Sequence, residues 1–572
     1  MRFTRCLLAA GPAFIACAVS SIAAEVPSQV APGAVERTLQ QKLPTAHEDR
    51  IQIPAPSGFD TPQGAEKVHF TLSRIDLSGN TAVPSSRLAS AYAGLIGKDV
   101  SLADVFAVAR KITDQYREAG YALSFALVPA QELDPATGAV RIDVVEGYIA
   151  EIRFEGAHNK LPSVVTAMGE RIKQSHPLKT ADLEKYLLLM NDVPGFAVSG
   201  VFDRIPDAPK GATRLVVKTS QQSWTASASI DNRGSSAFGP WQSSITAAAY
   251  DLIGQGEDVS LHGIRALNGK QLSAVVGQMS FPISDNGTRL SFNGIWSDAH
   301  PGSPTLSAIN FGSSGWTYGA SLNYPLLRSR LESLWLRTGV TGKLLKSQFL
   351  ATPHSRDRIY EWNLGATWNK RDETGVTTGD ITFTQGLPLG DVSDVTDALR
   401  SRSTGSAIFS SVEATITRLQ SVLDTKYGAL DLYGAAQGQV ASRGLLSSEQ
   451  CGYGGAVFGK AYDSNEMVGD FCALGALEAR VTPASVFLPF PKVLTGAQFF
   501  ASVDFGYTSN TGKLGFGDKT KDTASSVGAG LRFSLFQRVN GSVEYDLPIS
   551  RKVALEGNSD GRVFFQLSIS AN

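Results

Sequence analysis

At 572 residues the chain is long enough for two or more domains. A formal net charge of −1 sets up no global field for nucleic acid, and a charged fraction of 18% is low for a soluble enzyme. Beyond the N-terminus no window holds about 18 consecutive apolar residues, so the mature chain is either exported and soluble or crosses a membrane as strands.

The chain opens on Arg2 and Arg5, followed by an apolar run from Cys6 to Val19 and small residues at Ile22-Ala23-Ala24. Residues 1–24 therefore read as a secretory signal peptide. Residues 25–65 are rich in Pro, Gln and Ala and read as a linker. One short helix, Ala34 to Leu43, is bracketed there by Pro32-Gly33 and Pro44.

Residues 66–147 read as a compact α+β unit. Val68 to Leu77 alternates like a strand, and Ser85 to Leu95 reads as a short helix. Ser101 caps a longer helix reaching about Ala119, with Val105, Val108, Ala109, Ile112 and Tyr116 at helical spacing. Tyr121 to Val128 and Val140 to Val145 are predicted strands. Residues 148–220 repeat the β-α-α-β-β order. The strands are Ile149 to Phe154, Phe196 to Phe202 and Thr213 to Thr219, and the helices are Leu161 to Ile172 and Thr180 to Asn191. Each module offers an exposed edge strand able to pair with an extended guest.

From residue 221 to 572 the period changes to two. Tyr360, Trp362, Leu364, Ala366 and Trp368 form one apolar face; Leu290, Phe292 and Trp296 form another; Val563, Phe565, Leu567 and Ile569 close the chain. Small and polar residues fill the alternate positions. Asn268-Gly269, Asn286-Gly287 and Asn540-Gly541 are hairpin signals. At roughly 20–23 residues per strand and connection, this region makes about 16 antiparallel strands of a transmembrane barrel. A soluble propeller would need a blade repeat, which the sequence lacks.

Within this meander, Gly452 to Gly469 breaks the alternation and is dense in glycine. Gly454, Gly459 and Lys460 have P-loop spacing, but Ala461 stands where a Mg²⁺-binding Ser or Thr belongs, and no strand-to-helix context flanks it. The competing reading is a loop folded into a pore, with Lys460 seeking a carboxylate on the wall. The signal peptide and the surrounding strands favour the pore. Cys451 and Cys472 flank this loop, and in an oxidising compartment they form a candidate disulfide; two unpaired thiols are the alternative.

Tandem β-α-α-β-β modules followed by such a barrel resemble the Omp85 superfamily, and within it the two-partner secretion transporters (TpsB, the haemolysin secretion/activation family). The resemblance covers essentially the whole mature chain. Asp231-Asn232-Arg233-Gly234 looks like the family's barrel-start motif, and Phe458-Gly459-Lys460-Ala461-Tyr462-Asp463 like its conserved inward-folding loop, with Lys460 in place of an arginine. Asp504, with Gly506 in Val503-Asp504-Phe505-Gly506, matches the wall motif that carries the arginine's partner. The resemblance implies two POTRA domains ahead of a 16-stranded barrel and a plug helix at Ala34 to Leu43. It also implies a Lys460–Asp504 lock and a periplasmic partner, an exoprotein with an N-terminal secretion domain. The chain's own insertion would call on outer-membrane lipid and the barrel-assembly machinery. The chain ends Ile569-Ser570-Ala571-Asn572, without the terminal aromatic usual in outer-membrane barrels.

The seven histidines are scattered, without an H-E-x-x-H pair, and there is no G-x-S-x-G elbow. The expectation is therefore no metal, no cofactor and no enzyme. Two rivals to secretion remain. A barrel-assembly factor of the same superfamily would usually carry more POTRA repeats, and a passive porin would carry none.

Overall fold

A computed structural model describes residues 28–31, 33–40, 61–132, 137–157, 160–269, 271–350, 352–511 and 520–571. The expected signal peptide lies outside these residues. So do residues 41–60, which hold the end of the expected linker helix.

The first module is built on the helix Leu102–Glu118. Ser101 and Asp104 form a capping box at its start, satisfying two backbone N–H groups reciprocally. Val105, Val108, Ala109, Ile112 and Tyr116 are all buried, as their spacing predicts. The strand expected over Val68 to Leu77 is broken. His69–Thr71 pairs with a short strand, Asp99–Ser101, that the sequence pattern does not reveal. Arg74–Ser78 then pairs in parallel with Ala139–Val145. The chain passes from one sheet to the other at Leu72 and Ser73, whose amides bond to Lys98 and Gly138. The helix expected over Ser85 to Leu95 is α-helical only over Ser85–Leu88 and continues as two 3-10 turns, and the strand Tyr121 to Val128 shortens to Phe125–Leu127.

The second module follows the predicted order closely. Tyr148–Ala157 runs parallel to Ala212–Gln221, which pairs antiparallel with Phe196–Arg204. The first module's three-stranded sheet has the same order, one parallel and one antiparallel pairing. Helices Ser163–Gln174 and Thr180–Asn191 cover the sheet around Val165, Ile172, Leu187, Leu188 and Val217. This module is tied to the near rim of the barrel. Arg328 bonds both carboxylate oxygens of Asp192 at 2.8 Å, and Arg171 holds Asp285 at 2.8 Å.

The remaining strands close into an antiparallel barrel of 16. The first, Trp224–Asp231, pairs with the last, Arg562–Ala571. The first strand leaves the second module at residue 224, so residue 231 marks the rim away from the modules. Outward positions are apolar: Trp316, Tyr318, Leu322, Trp362, Leu364, Val563 and Ile569 are all at least one-third exposed. Inward positions carry polar groups such as Lys343, Asp357 and Glu361. This is the inverted arrangement of a barrel that faces lipid outside and water inside.

Two of the three Asn-Gly signals mark turns. The third does not: Asn540 and Gly541 lie inside the strand Val539–Pro548. Gly541 is paired across from Phe533, and a Cβ there would come within 2.4 Å of the Phe533 ring. The glycine makes room for an aromatic side chain instead of turning the chain. The actual reversal uses Phe536 and Gln537, both at positive φ.

Candidate functional site, a loop seated inside the barrel

The segment between strands Gly428–Ala441 and Phe471–Pro483 folds back into the lumen. A short ladder, Cys451–Tyr453 with Met467–Gly469, forms its stem. A disulfide joins Cys451 to Cys472, the latter at the head of the next wall strand. Tyr453, Phe458, Ala461 and Tyr462 are fully or almost fully buried. The glycines make this tight fold possible. Gly454 and Gly459 hold φ of 117° and 79°, and Cβ atoms there would meet Asp463 O at 2.0 Å and the Tyr453 ring at 2.7 Å.

Asp504 on the strand Leu494–Ser509 receives the loop. It accepts the Tyr453 hydroxyl, the Ser526 hydroxyl at 2.8 Å, and the Lys460 backbone amide at 3.3 Å. Gly506, on the same face, leaves the space the Tyr453 ring fills; a Cβ would lie 2.3 Å from it.

The expected side-chain pair between Lys460 and Asp504 is not formed. The Lys460 ammonium lies 2.7 Å from Glu478 and 4.7 Å above the Phe500 ring. Glu478 also binds Arg532 at 2.7 and 2.9 Å and Arg480 at 2.7 Å. The reason is the reach of lysine. Its long stem carries the charge past Asp504 to a carboxylate already flanked by arginines, leaving Asp504 to neutral donors and one amide.

The loop tip also touches both sides of the seam between first and last strands. Asp463 pairs with Arg562 at 2.7 Å and accepts from the Ser236 hydroxyl at 2.7 Å. Arg233 donates to Lys460 O at 3.3 Å, binds Glu544, and stacks 4.1 Å from Phe564. Asp231 accepts from the Arg233 amide at 3.0 Å. Asn232 extends the seam: its side chain donates to Val563 O at 2.9 Å and accepts from Phe565 N at 2.6 Å. Gly234 donates its amide to Pro240 O at 2.9 Å.

A second element shares the lumen. The helix Ala34–Gln40 and the turn before it rest on the loop. Asn465 donates to Ala34 O and accepts from Arg37 at 3.1 Å, Ser28 donates to Asn465 O at 2.6 Å, and Gln29 donates to Glu466 at 3.0 Å. Glu36 accepts from Ser297 on the wall, and Val30 is buried beside Phe238 and Phe311.

Glu478, Arg532, Tyr453 and Asn465 belong to the site although no sequence motif marks them. Glu478 and Arg532 carried a usable signal, since each is a charge on the inward register of an otherwise apolar-polar strand.

Sequence comparison places this geometry in a family. The family described as haemolysin secretion/activation protein ShlB/FhaC/HecB matches residues 211–533, and a ShlB-type POTRA domain matches residues 70–147. The chain belongs to the haemolysin secretion/activation family. It is thereby a member of the TpsB branch of the Omp85 superfamily, with its barrel in a Gram-negative outer membrane and its N-terminal POTRA domain in the periplasm. Among curated relatives, the heme/hemopexin transporter protein HuxB of Haemophilus influenzae is 26% identical over 274 residues, 47% of each chain. The outer membrane transporter CdiB of Escherichia coli is 24% identical over 345 residues, covering 58% of this chain and 56% of that one. The chain thus spans about half the length of the curated relatives it matches. In solved structures, CdiB from Escherichia coli superposes with a TM-score of 0.71 at 20% identity, covering 90% of this chain and 92% of that one.

Proposed function

We propose that this TpsB-family barrel is a gated conduit that carries an unfolded partner exoprotein across the outer membrane without nucleotide, and is not an enzyme. The observation that carries the proposal is the linked occupancy of the lumen. The helix Ala34–Gln40 is held by Asn465, and the turn before it by Glu466, of the same loop whose tip is pinned to the wall and the seam. A polypeptide can pass only when both move, so the helix acts as a plug and the loop as its latch. The exoprotein, through its N-terminal secretion domain, docks as an added strand on the two periplasmic modules. Nucleotide has no role, because the glycine-rich loop uses its amides and its lysine on the wall.

The test is co-expression with an exoprotein encoded beside this gene. Secretion into the medium should fall when Gly452 to Gly469 is deleted. Secretion that persists unchanged without that loop would refute its role, and unassisted secretion without the barrel would refute the whole reading.

A further inference from the structure

On the outer face of the barrel, at the rim away from the modules, four strands align a row of polar side chains. In register across the ladder stand Asp298, Ser314, Lys346 and Arg356. One outward row nearer the modules, the same strands align Trp296, Trp316, Leu344 and Arg358. The two tryptophan rings lie 6.5 Å apart, and Trp316 is 58% exposed. Outward tryptophans at this height mark the membrane interface, so the polar row just beyond them stands among lipid headgroups of the outer leaflet.

Lys346 and Arg356 face each other directly across two antiparallel strands, an arrangement that is unfavourable for like charges. Among the described residues neither forms an ion pair. Arg358, next along the same face, is held by Asp391, and Asp298 lies 3.4 Å from His300. Clefts of about 240 and 270 Å³ open here, and both are lined by Ser314, Lys346 and Arg356. An anion between the two cations would turn their repulsion into shared attraction. A phosphate suits a guanidinium's forked donors and an ammonium's point charge together.

The geometry points to a binding site for the phosphorylated glycolipid of the outer leaflet, with a lipid A phosphate held between Lys346 and Arg356. The sugar would lie on Ser314, and the acyl chains would run down past Trp296 and Trp316. The site lies outside the lumen, so it anchors and orients the barrel without taking part in passage.

The purified full chain, in zwitterionic detergent, is titrated with diphosphorylated lipid A, its dephosphorylated form, phosphatidylglycerol and inorganic phosphate, and bound lipid is read by native mass spectrometry. Lipid A should bind at least about tenfold more tightly than its dephosphorylated form. The double variant Lys346→Gln, Arg356→Gln should lose that preference. Equal binding of the dephosphorylated lipid, or an unchanged preference in the double variant, would overturn the site. Equal binding of phosphatidylglycerol would reduce it to a general anionic contact, and displacement by equimolar inorganic phosphate would make it a free-anion site; either result overturns the lipid A assignment. Should the double variant fail to fold, the comparison of the two lipid A forms on the unaltered chain still decides.

Discussion

Replacing Lys460 with Met tests where the loop is held. The ammonium is almost fully buried and donates one charge-assisted bond to Glu478. Its loss leaves Glu478 still bound by Arg480 and Arg532, so the carboxylate is not stranded. The cost should therefore be that of one charged hydrogen bond, about 2 kcal/mol, or roughly thirtyfold in the population of the unlatched loop. Glu478→Gln should cost more, about 3 kcal/mol, because it leaves three cations facing one another in a partly dry pocket. Hydrogen exchange of the amides from Gly459 to Asp463, on the purified chain, reads this opening directly. In double-mutant cycles, Lys460→Met and Glu478→Gln should couple by about 1–2 kcal/mol, whereas Lys460→Met and Asp504→Asn should couple by less than about 0.5 kcal/mol. Asp504 meets only the backbone of residue 460, which survives the substitution. Strong coupling to Asp504 with none to Glu478 would refute the assignment.

The other predictions concern the loop's seat, its stem and the first module. Gly506→Ala would drive a Cβ into the Tyr453 ring and should destabilise the seated loop by about 1–3 kcal/mol. Gly475→Ala, on the neighbouring wall strand with open space around its Cβ, should leave the same exchange rates unchanged. The Cys451–Cys472 bridge closes a separation of 21 residues, so its removal by Cys451→Ser with Cys472→Ser should cost about 3 kcal/mol in denaturant unfolding. A loss confined to protease nicking within the loop would make the bridge a local strap instead. In the first module, burial pushes the Glu146 carboxyl upward. Bonds from the Ala82 and Thr81 amides and the Thr81 and Tyr116 hydroxyls outweigh burial and hold it below the usual carboxylate range. That stabilisation is present above the ordinary carboxylate pKa and is lost as pH falls through the lowered value. In the full chain, protection of the helix Leu102–Glu118 against hydrogen exchange should therefore fall with acid in that window, and Glu146→Gln should flatten that dependence.

The two kinds of periodicity made most of the fold legible. The buried stripe Val105, Val108, Ala109, Ile112 and Tyr116 is set by a local repeat, and so are the outward rows at Trp362 and Leu364. Where local pattern and tertiary demand part, the pattern misleads. Val68 to Leu77 alternates as one strand, yet the module needs its two halves in different sheets. Asn540-Gly541 has the composition of a turn, yet Phe533 needs the glycine opposite its ring. The loop was visible as a glycine-rich interruption, and the structure seats it against Asp504 and Gly506. The partner of the Lys460 side chain was not, because a long flexible side chain chooses among carboxylates on several strands.

The sequence by itself determined the division into helical-period modules and period-two strands, and with it the barrel's class. It also marked the loop, whose glycines no regular element would tolerate at that density. Only the tertiary structure decided how the lumen is filled. The Lys460–Glu478 pair, the seating of Tyr453 against Gly506, and the grip of Asn465 on the helix Ala34–Gln40 join residues far apart in the chain. Barrel closure sets which inward side chains stand at the same height, and that register, more than any local preference, selects the partners.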